Sequence, residues 1–173
     1  QLKQSKAKYP LLLWHTGGAT GASWETKPDG QPGWQHYFLN AGHDVYVSDA
    51  VERGRSSWSR YPEVFKSEPY FRDKKEAWEI FRIGPAGSYS PDPKKRVVNP
   101  GQMFPVAAFD QLNKQVVPRW ATNDDAIQAA YSELVDKVCP CVIVAHGQAG
   151  GFAFRAALAN PDKVKGIVAI ETP

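Results

Sequence analysis

Four short apolar runs alternate with amphipathic segments along this chain. The runs cover residues 11–14, 44–49, 141–145 and 164–170, and β-branched residues recur in the last three. Runs of this length and composition are typical of parallel strands buried on both faces. Helical spacing of apolar residues predicts helices at 34–41, 123–138 and 151–159. The alternation of strands and helices predicts an α/β fold with a doubly wound, mostly parallel sheet.

The predicted helices carry recognisable end signals. Gly42 follows the first helix and suits a left-handed position just beyond a helix end. Asn123 precedes the clearest helix and is a suitable N-cap residue. Asp124 and Asp125 favour its first turn, because carboxylates interact well with the positive end of the helix dipole.

Residues 51–121 interrupt this alternation with many prolines and glycines. Long irregular segments inside a compact domain usually form lids or binding loops. We therefore interpret residues 1–173 as a single, incomplete domain with a cap-like or lid-like segment at about 51–121. Six aromatic residues there either line an apolar pocket or fill a small separate core: Trp58, Trp78, Phe81, Phe104, Phe109 and Trp120.

Composition narrows the possible partners. The chain is 42% hydrophobic and 23% charged, with a net charge of +3, and basic residues are interspersed with acidic ones. We therefore expect no nucleic-acid partner. The longest apolar runs are far shorter than a membrane span, so we expect no membrane partner. The four histidines are not spaced as metal ligands and no phosphate-binding loop is recognisable, so we expect neither a metal nor a cofactor.

The two cysteines, Cys139 and Cys141, flank Pro140. A direct bridge between them would be tight and strained. We interpret them as two small buried residues that lead into a strand. The alternative is a disulfide to a part of the protein outside this chain.

The stretch 142–151 combines a buried strand, a sharp turn and a helix of small residues. This is the setting of a nucleophile elbow, whose pattern is small-x-Ser-x-Gly. The six elbow positions are Ala145, His146, Gly147, Gln148, Ala149 and Gly150. Glycine tolerates the strained backbone of such a turn, so the turn can form although Gly147 replaces the nucleophile.

This elbow resembles that of the secreted bacterial and fungal α/β-hydrolase esterases, which reads His-Ser-Gln-small-Gly. Other stretches are similar to the same family, and together they span nearly the whole chain. They are the oxyanion loop at 15–26 with 28–30, the helix and strand at 34–38 and 42–47, the loop at 53–57, and residues 81–85 and 160–171.

The resemblance implies a carboxylic-ester hydrolase that works by acyl transfer with a Ser-His-Glu triad. Gly147 holds the nucleophile position and Glu171 holds the position of the acid. Both residues end consecutive strands, and parallel strands place their carboxyl ends at one edge of the sheet. The resemblance assigns the oxyanion hole to the backbone N–H groups of Gly17 and Gln148.

Four further residues are predicted to lie at the pocket: His15, Gly18 and Trp24 in the oxyanion loop, and His146 in the elbow. We interpret both histidines as structural rather than as general bases. The resemblance also implies a secreted or periplasmic location, with which a mature chain beginning at Gln1 is consistent.

Two departures from the family pattern matter. Glycine at 147 has no hydroxyl, and three explanations stay open: an engineered substitution, a misassigned residue and a natural pseudo-enzyme.

The second departure is that no histidine follows Glu171 and the last strands of the fold are missing. We therefore expect a second polypeptide, such as the other half of a cleaved precursor in a heterodimer, to supply them. Two alternatives to an enzyme that hydrolyses small-molecule esters stay open. One is a catalytically inactive, hydrolase-like binding protein, and the other is a cofactor-independent lyase or isomerase on the same fold.

Overall fold

The structure is a computed structural model that describes residues 5–56, 62–63 and 65–173. Its centre is a four-stranded parallel sheet in the order β2-β1-β3-β4. The strands are β1 (Leu11–Trp14), β2 (Val45–Val47), β3 (Cys141–His146) and β4 (Val164–Ile170). The predicted parallel α/β sheet is therefore confirmed. β2 is shorter than the predicted run 44–49, because pairing with β1 extends only from Val45 to Val47.

Six helices accompany the sheet in the described residues: α1 (Ala22–Glu25), α2 (Trp34–Asn40), α3 (Lys74–Ile80), α4 (Phe109–Asn113), α5 (Asp124–Val138) and α6 (Ala149–Ala159). Short 3₁₀ turns lie at Gly54–Ser56, Pro93–Lys95 and Val106–Ala108. α2 and α5 match the predicted helices to within one residue at each end. α6 begins two residues before the predicted helix, because its first turn is continuous with the elbow.

Helices cover both faces of the sheet. On one face, α5 and α6 enclose the larger core, in which Trp14 of β1 stacks on Tyr131 with ring centroids 3.9 Å apart. On the other face, Trp24 and Phe38 pack against Leu13 and Val144. This two-sided burial explains why the central strands β1 and β3 are almost continuously apolar.

Residues 51–121 build a small core of their own. Trp78 and Phe109 are buried there with edge-to-face rings 5.0 Å apart, and Phe104 packs against them. Trp120 instead stacks on Phe65, with centroids 4.7 Å apart. Phe81 is exposed. The structure thus supports the separate-core interpretation for three of the predicted aromatic residues, while Trp58 lies outside the described residues.

Asn123 lies at the N-cap position of α5, as predicted, but its side chain makes no capping hydrogen bond to the helix. The side-chain amide nitrogen instead donates to the Glu52 carboxylate at 2.8 Å. Asn123 and Glu52 are both buried, and a buried carboxylate needs hydrogen-bond donors more than a solvated helix end does.

The interpretation of the cysteines is also corrected. Cys139 and Cys141 form a disulfide with each other across Pro140, with their Cα atoms 4.3 Å apart. The short turn before β3 brings the two residues within bonding reach, so they are neither reduced nor paired with another part of the protein. In the described residues, no helix is both long and apolar enough to cross a bilayer.

Candidate functional site

The predicted elbow lies at the carboxyl end of β3. Gly147 has a φ of 55°, the left-handed region that favours glycine. Its N–H donates to the Ile170 carbonyl at 2.9 Å, and its carbonyl accepts from the Gly150 N–H at 3.0 Å. The first bond ties the turn to β4 and the second starts α6. The backbone therefore has the conformation of a strand-to-helix elbow.

Close packing at Gly150 brings β4 and α6 together at this edge. A Cβ atom on Gly150 would overlap the side chain of Thr172, which follows Glu171 directly. A Cβ atom on the neighbouring Gly151 would meet nothing within 4 Å. Of these two glycines, Gly150 is thus the one that sets the approach of the acid-bearing strand to the elbow.

The space above Gly147 is occupied. A Cβ atom built on Gly147 would overlap the Thr16 hydroxyl and would lie 3.1 Å from the Thr16 Cβ. Residues of the oxyanion loop therefore fill the volume in which a nucleophile side chain would begin. This role of Thr16 was not predicted from the sequence.

Glu171 lies beside the elbow, as predicted, at the end of β4. Its carboxylate is 3.9 Å from Nε2 of His146, the residue that precedes Gly147. The Glu171 side chain is 79% exposed, and its φ of 46° is also left-handed. Burial lowers the pKa of His146, and the nearby Glu171 carboxylate opposes this shift. The acid is thus close to the turn and open to solvent on its outer side.

The oxyanion loop runs from the end of β1 past the elbow. Gly17 lies against the Gln148 side chain, because a Cβ atom on Gly17 would be 2.9 Å from Gln148 Oε1. Gln148 is the N-cap residue of α6, where backbone N–H groups lack partners within the helix. The two residues assigned to the oxyanion hole are therefore neighbours.

A buried ion pair supports this loop. The Arg53 guanidinium binds the Glu52 carboxylate through Nε, at 2.9 and 2.8 Å from its two oxygens. Arg53 Nη1 donates to the Gly17 carbonyl. Both side chains are almost fully buried. The burial of Glu52 was not predicted from the sequence, because charged residues in loops are normally exposed. The only indication of it in the sequence is the adjacent, oppositely charged Arg53.

His15 is enclosed beneath the same loop. Its Nε2 accepts from the Ala50 N–H at 3.0 Å, so the proton is on Nδ1, which donates to the Thr16 carbonyl at 2.9 Å. Burial lowers the pKa of His15 to about 4. The imidazole is therefore neutral near pH 7, and both nitrogens are engaged by backbone.

The other two predicted pocket residues lie nearby. Trp24 is buried, with its ring edge towards His146 at a centroid distance of 6.5 Å. The Gly18 carbonyl accepts from the Val117 N–H at 3.0 Å, which joins the oxyanion loop to the end of the 51–121 segment. Two surface cavities of about 430 and 420 Å³ lie elsewhere, beside Asp49 and Tyr131 and beside Gln31 and His36.

The described residues contain no group of three His, Cys, Asp or Glu side chains that could hold a metal ion. What the arrangement brings together is a left-handed turn, a neighbouring carboxylate and the residues Gly17 and Gln148, whose backbone N–H groups the resemblance assigns as oxyanion donors. Such features stabilise a developing oxyanion in acyl transfer, where each donor contributes roughly 3–4 kcal/mol.

A parallel sheet with an elbow at the tip of its central strand and an acid at the next strand end defines an α/β-hydrolase-like fold. The chain is 31% identical over 169 residues to "Probable secreted lipase phiG" of Fungal sp. (strain ATCC 74256), covering 94% of this chain and 44% of the lipase. It is also similar to the structure of a novel bacterial esterase, with a TM-score of 0.81 and 33% identity, covering 98% of this chain and 55% of the esterase chain.

These similarities confirm the predicted resemblance to α/β-hydrolase-like esterases, and at the level of that family they support a carboxylic-ester hydrolase. The chain spans about half the length of these two relatives. No protein-family model matches the chain.

Proposed function

We propose that this chain forms the nucleophile-side half of an esterase-type active site that works by acyl transfer on small-molecule esters. The observation that carries the proposal is the left-handed elbow at Gly147 with the Glu171 carboxylate beside the preceding residue. The chain supplies the acid and the oxyanion hole, formed by Gly17 and Gln148. A nucleophile at 147 would attack the carbonyl, and Glu171 would orient the histidine that relays its proton.

A second function is favoured by one observation. The Thr16 side chain fills the space that a nucleophile would occupy. In a non-catalytic binding protein on this fold, the serine would be absent and another side chain would be expected to fill the space it left. Such a protein would bind a ligand in the same pocket without catalysing ester hydrolysis.

The partner proposal concerns the exposed edge of the sheet. β4 pairs with β3 on one side, and large apolar side chains near it are exposed: Phe154 at 46%, Leu158 at 82% and Val168 at 48%. Exposed apolar strand edges are normally covered. A second polypeptide, such as the other half of a cleaved precursor, would pair with β4 and supply the catalytic histidine. Native mass spectrometry tests this: a monodisperse species of 19.2 kDa counts against it.

Secretion is supported by two observations. The fungal relative is named a secreted lipase, and Cys139–Cys141 form a disulfide, a bond that persists in oxidising compartments. Peptide mapping without reductant is expected to recover the peptide that contains both cysteines with the mass of the disulfide form, two hydrogen atoms lighter than the dithiol. Alkylation of both as free thiols in freshly isolated protein would oppose a secreted or periplasmic location.

The decisive experiment restores the nucleophile. Gly147→Ser is combined with Thr16→Gly, which clears the occupied space, in the protein that includes the C-terminal portion. We expect p-nitrophenyl ester turnover at least about 1,000-fold above the Gly147 protein. The matched control adds Glu171→Gln and is expected to lose most of the gain. If the restored protein folds and shows no turnover, the binding-protein function is favoured instead.

A further inference from the structure

The Arg119 guanidinium lies beside the two groups assigned to the oxyanion hole. Its Nη1 is 3.5 Å from Gln148 Oε1. A Cβ atom on Gly17 would be 3.4 Å from Arg119 Nε. Because Gly17 has no side chain, the cation faces the backbone of the oxyanion loop directly. The sequence analysis assigned no role to Arg119.

Arg119 differs from its basic neighbours in having no ion-pair partner among the described residues. Arg53 is paired with Glu52 and Arg72 with Glu76, at 2.8 and 3.5 Å. Arg119 is partly buried, and burial lowers its pKa; nearby Arg53 and Arg72 act in the same direction, while Asp124 and Glu52 oppose them. A partly desolvated cation without a directly paired anion is costly.

The position of Arg119 is held from two sides. Its backbone pairs with Tyr70, with N–H to carbonyl distances of 3.0 and 2.7 Å in the two directions. Its guanidinium lies over the Tyr70 ring, 5.9 Å from the centroid. Gln148, which contacts it, is itself fixed by a 3.1 Å hydrogen bond to Asp124. A cation fixed in this way loses little side-chain freedom when an anion binds.

We infer that Arg119 is a specificity-determining residue that binds an ionised carboxylate of the ligand, so that the preferred ligand is a half-ester of a dicarboxylic acid. The inference rests on the proposed function for the ester part of the ligand. The ester carbonyl lies at Gly17 and Gln148 while the free carboxylate pairs with the Arg119 guanidinium. A guanidinium and a carboxylate form charge-assisted hydrogen bonds, which are about twice as strong as neutral ones.

Binding can be measured on the chain as it exists, because Gly147 prevents turnover. Titration calorimetry compares monomethyl succinate with the neutral dimethyl succinate at low salt. We expect the half-ester to bind at least about 10-fold more tightly. Arg119→Gln is expected to remove this preference by weakening the half-ester more than the diester. Arg155→Gln, the same charge change at an exposed helix position, is expected to keep the preference.

Equal binding of the two compounds, or binding of neither, overturns the inference. So does an Arg119→Gln protein that keeps its thermal stability and weakens both compounds alike, since Arg119 would then act only through Gln148. Failure of the proposed function has a different signature. The nucleophile-restored protein would hydrolyse no ester, while the chain still bound the half-ester more tightly than the diester.

Discussion

The Thr16 hydroxyl occupies the volume in which a side chain on Gly147 would start. The relationship links the oxyanion loop to the elbow, two segments about 130 residues apart in the chain. Because of this contact, the loss of folding stability caused by a nucleophile side chain at 147 depends on the residue at position 16.

The first prediction is a thermodynamic coupling between these positions. Gly147→Ser is expected to destabilise the chain by roughly 1–3 kcal/mol, because serine must adopt a φ of 55° and displace Thr16. In the Thr16→Gly background the cost is expected to be about 1 kcal/mol smaller. Urea denaturation of the four proteins measures this. Thr16→Ser keeps the hydroxyl and serves as the control, which should show no such relief; strictly additive effects would contradict the packing described.

The second prediction compares two adjacent glycines of α6. Gly150→Ala is expected to destabilise the chain by about 1–3 kcal/mol, since its Cβ would overlap Thr172. Gly151→Ala meets open space and is expected to be neutral or to stabilise by up to about 1 kcal/mol, because alanine is the better helix former. Chemical denaturation gives both values. Equal effects at the two positions would show that the close approach of β4 and α6 is absent.

The third prediction concerns pH. The pKa of His15 is about 4 in the folded chain, below its ordinary value of 6.5. Between these values the unfolded chain binds a proton that the folded chain does not, so stability rises with pH across this window. The full contribution, about 3 kcal/mol, is present above pH 6.5 and is lost as the pH falls towards 4.

Urea unfolding at pH 7.5 and 4.5 tests this linkage. In His15→Asn, which keeps a donor for the Thr16 carbonyl, the difference in unfolding free energy between the two pH values should shrink. An unchanged difference would assign the acid sensitivity to other groups.

The fourth prediction concerns the buried ion pair. Arg53→Met leaves the Glu52 carboxylate buried without its partner and is expected to cost about 3–5 kcal/mol. The loss of the Gly17 carbonyl contact should also speed amide hydrogen exchange at residues 17–18. Lys163→Met, at an ion pair with Asp136 in which both side chains are exposed, is expected to cost no more than about 1 kcal/mol and to leave that exchange unchanged.

Local sequence pattern fixed much of the fold before any contact was known. Strands β1 and β4 have the predicted bounds: β1 is a continuous apolar run that is buried along its length, and β4 is a largely apolar run that is partly exposed. The left-handed turn at Gly147 was also predictable, because a strand followed by small residues and a helix has few ways to turn. Asn123 failed as a cap because its partner, Glu52, lies 71 residues away in the chain.

What the sequence by itself determined is therefore the parallel α/β sheet, the elbow and the placement of Glu171 at the neighbouring strand end, all consequences of short-range periodicity and strand order. Only the tertiary structure decided which side chains meet at that edge: Thr16 over Gly147, Arg53 on the Gly17 carbonyl, and Arg119 beside Gln148. These contacts join segments distant in the chain, and burial and charge pairing across such distances leave no periodic signal in the sequence.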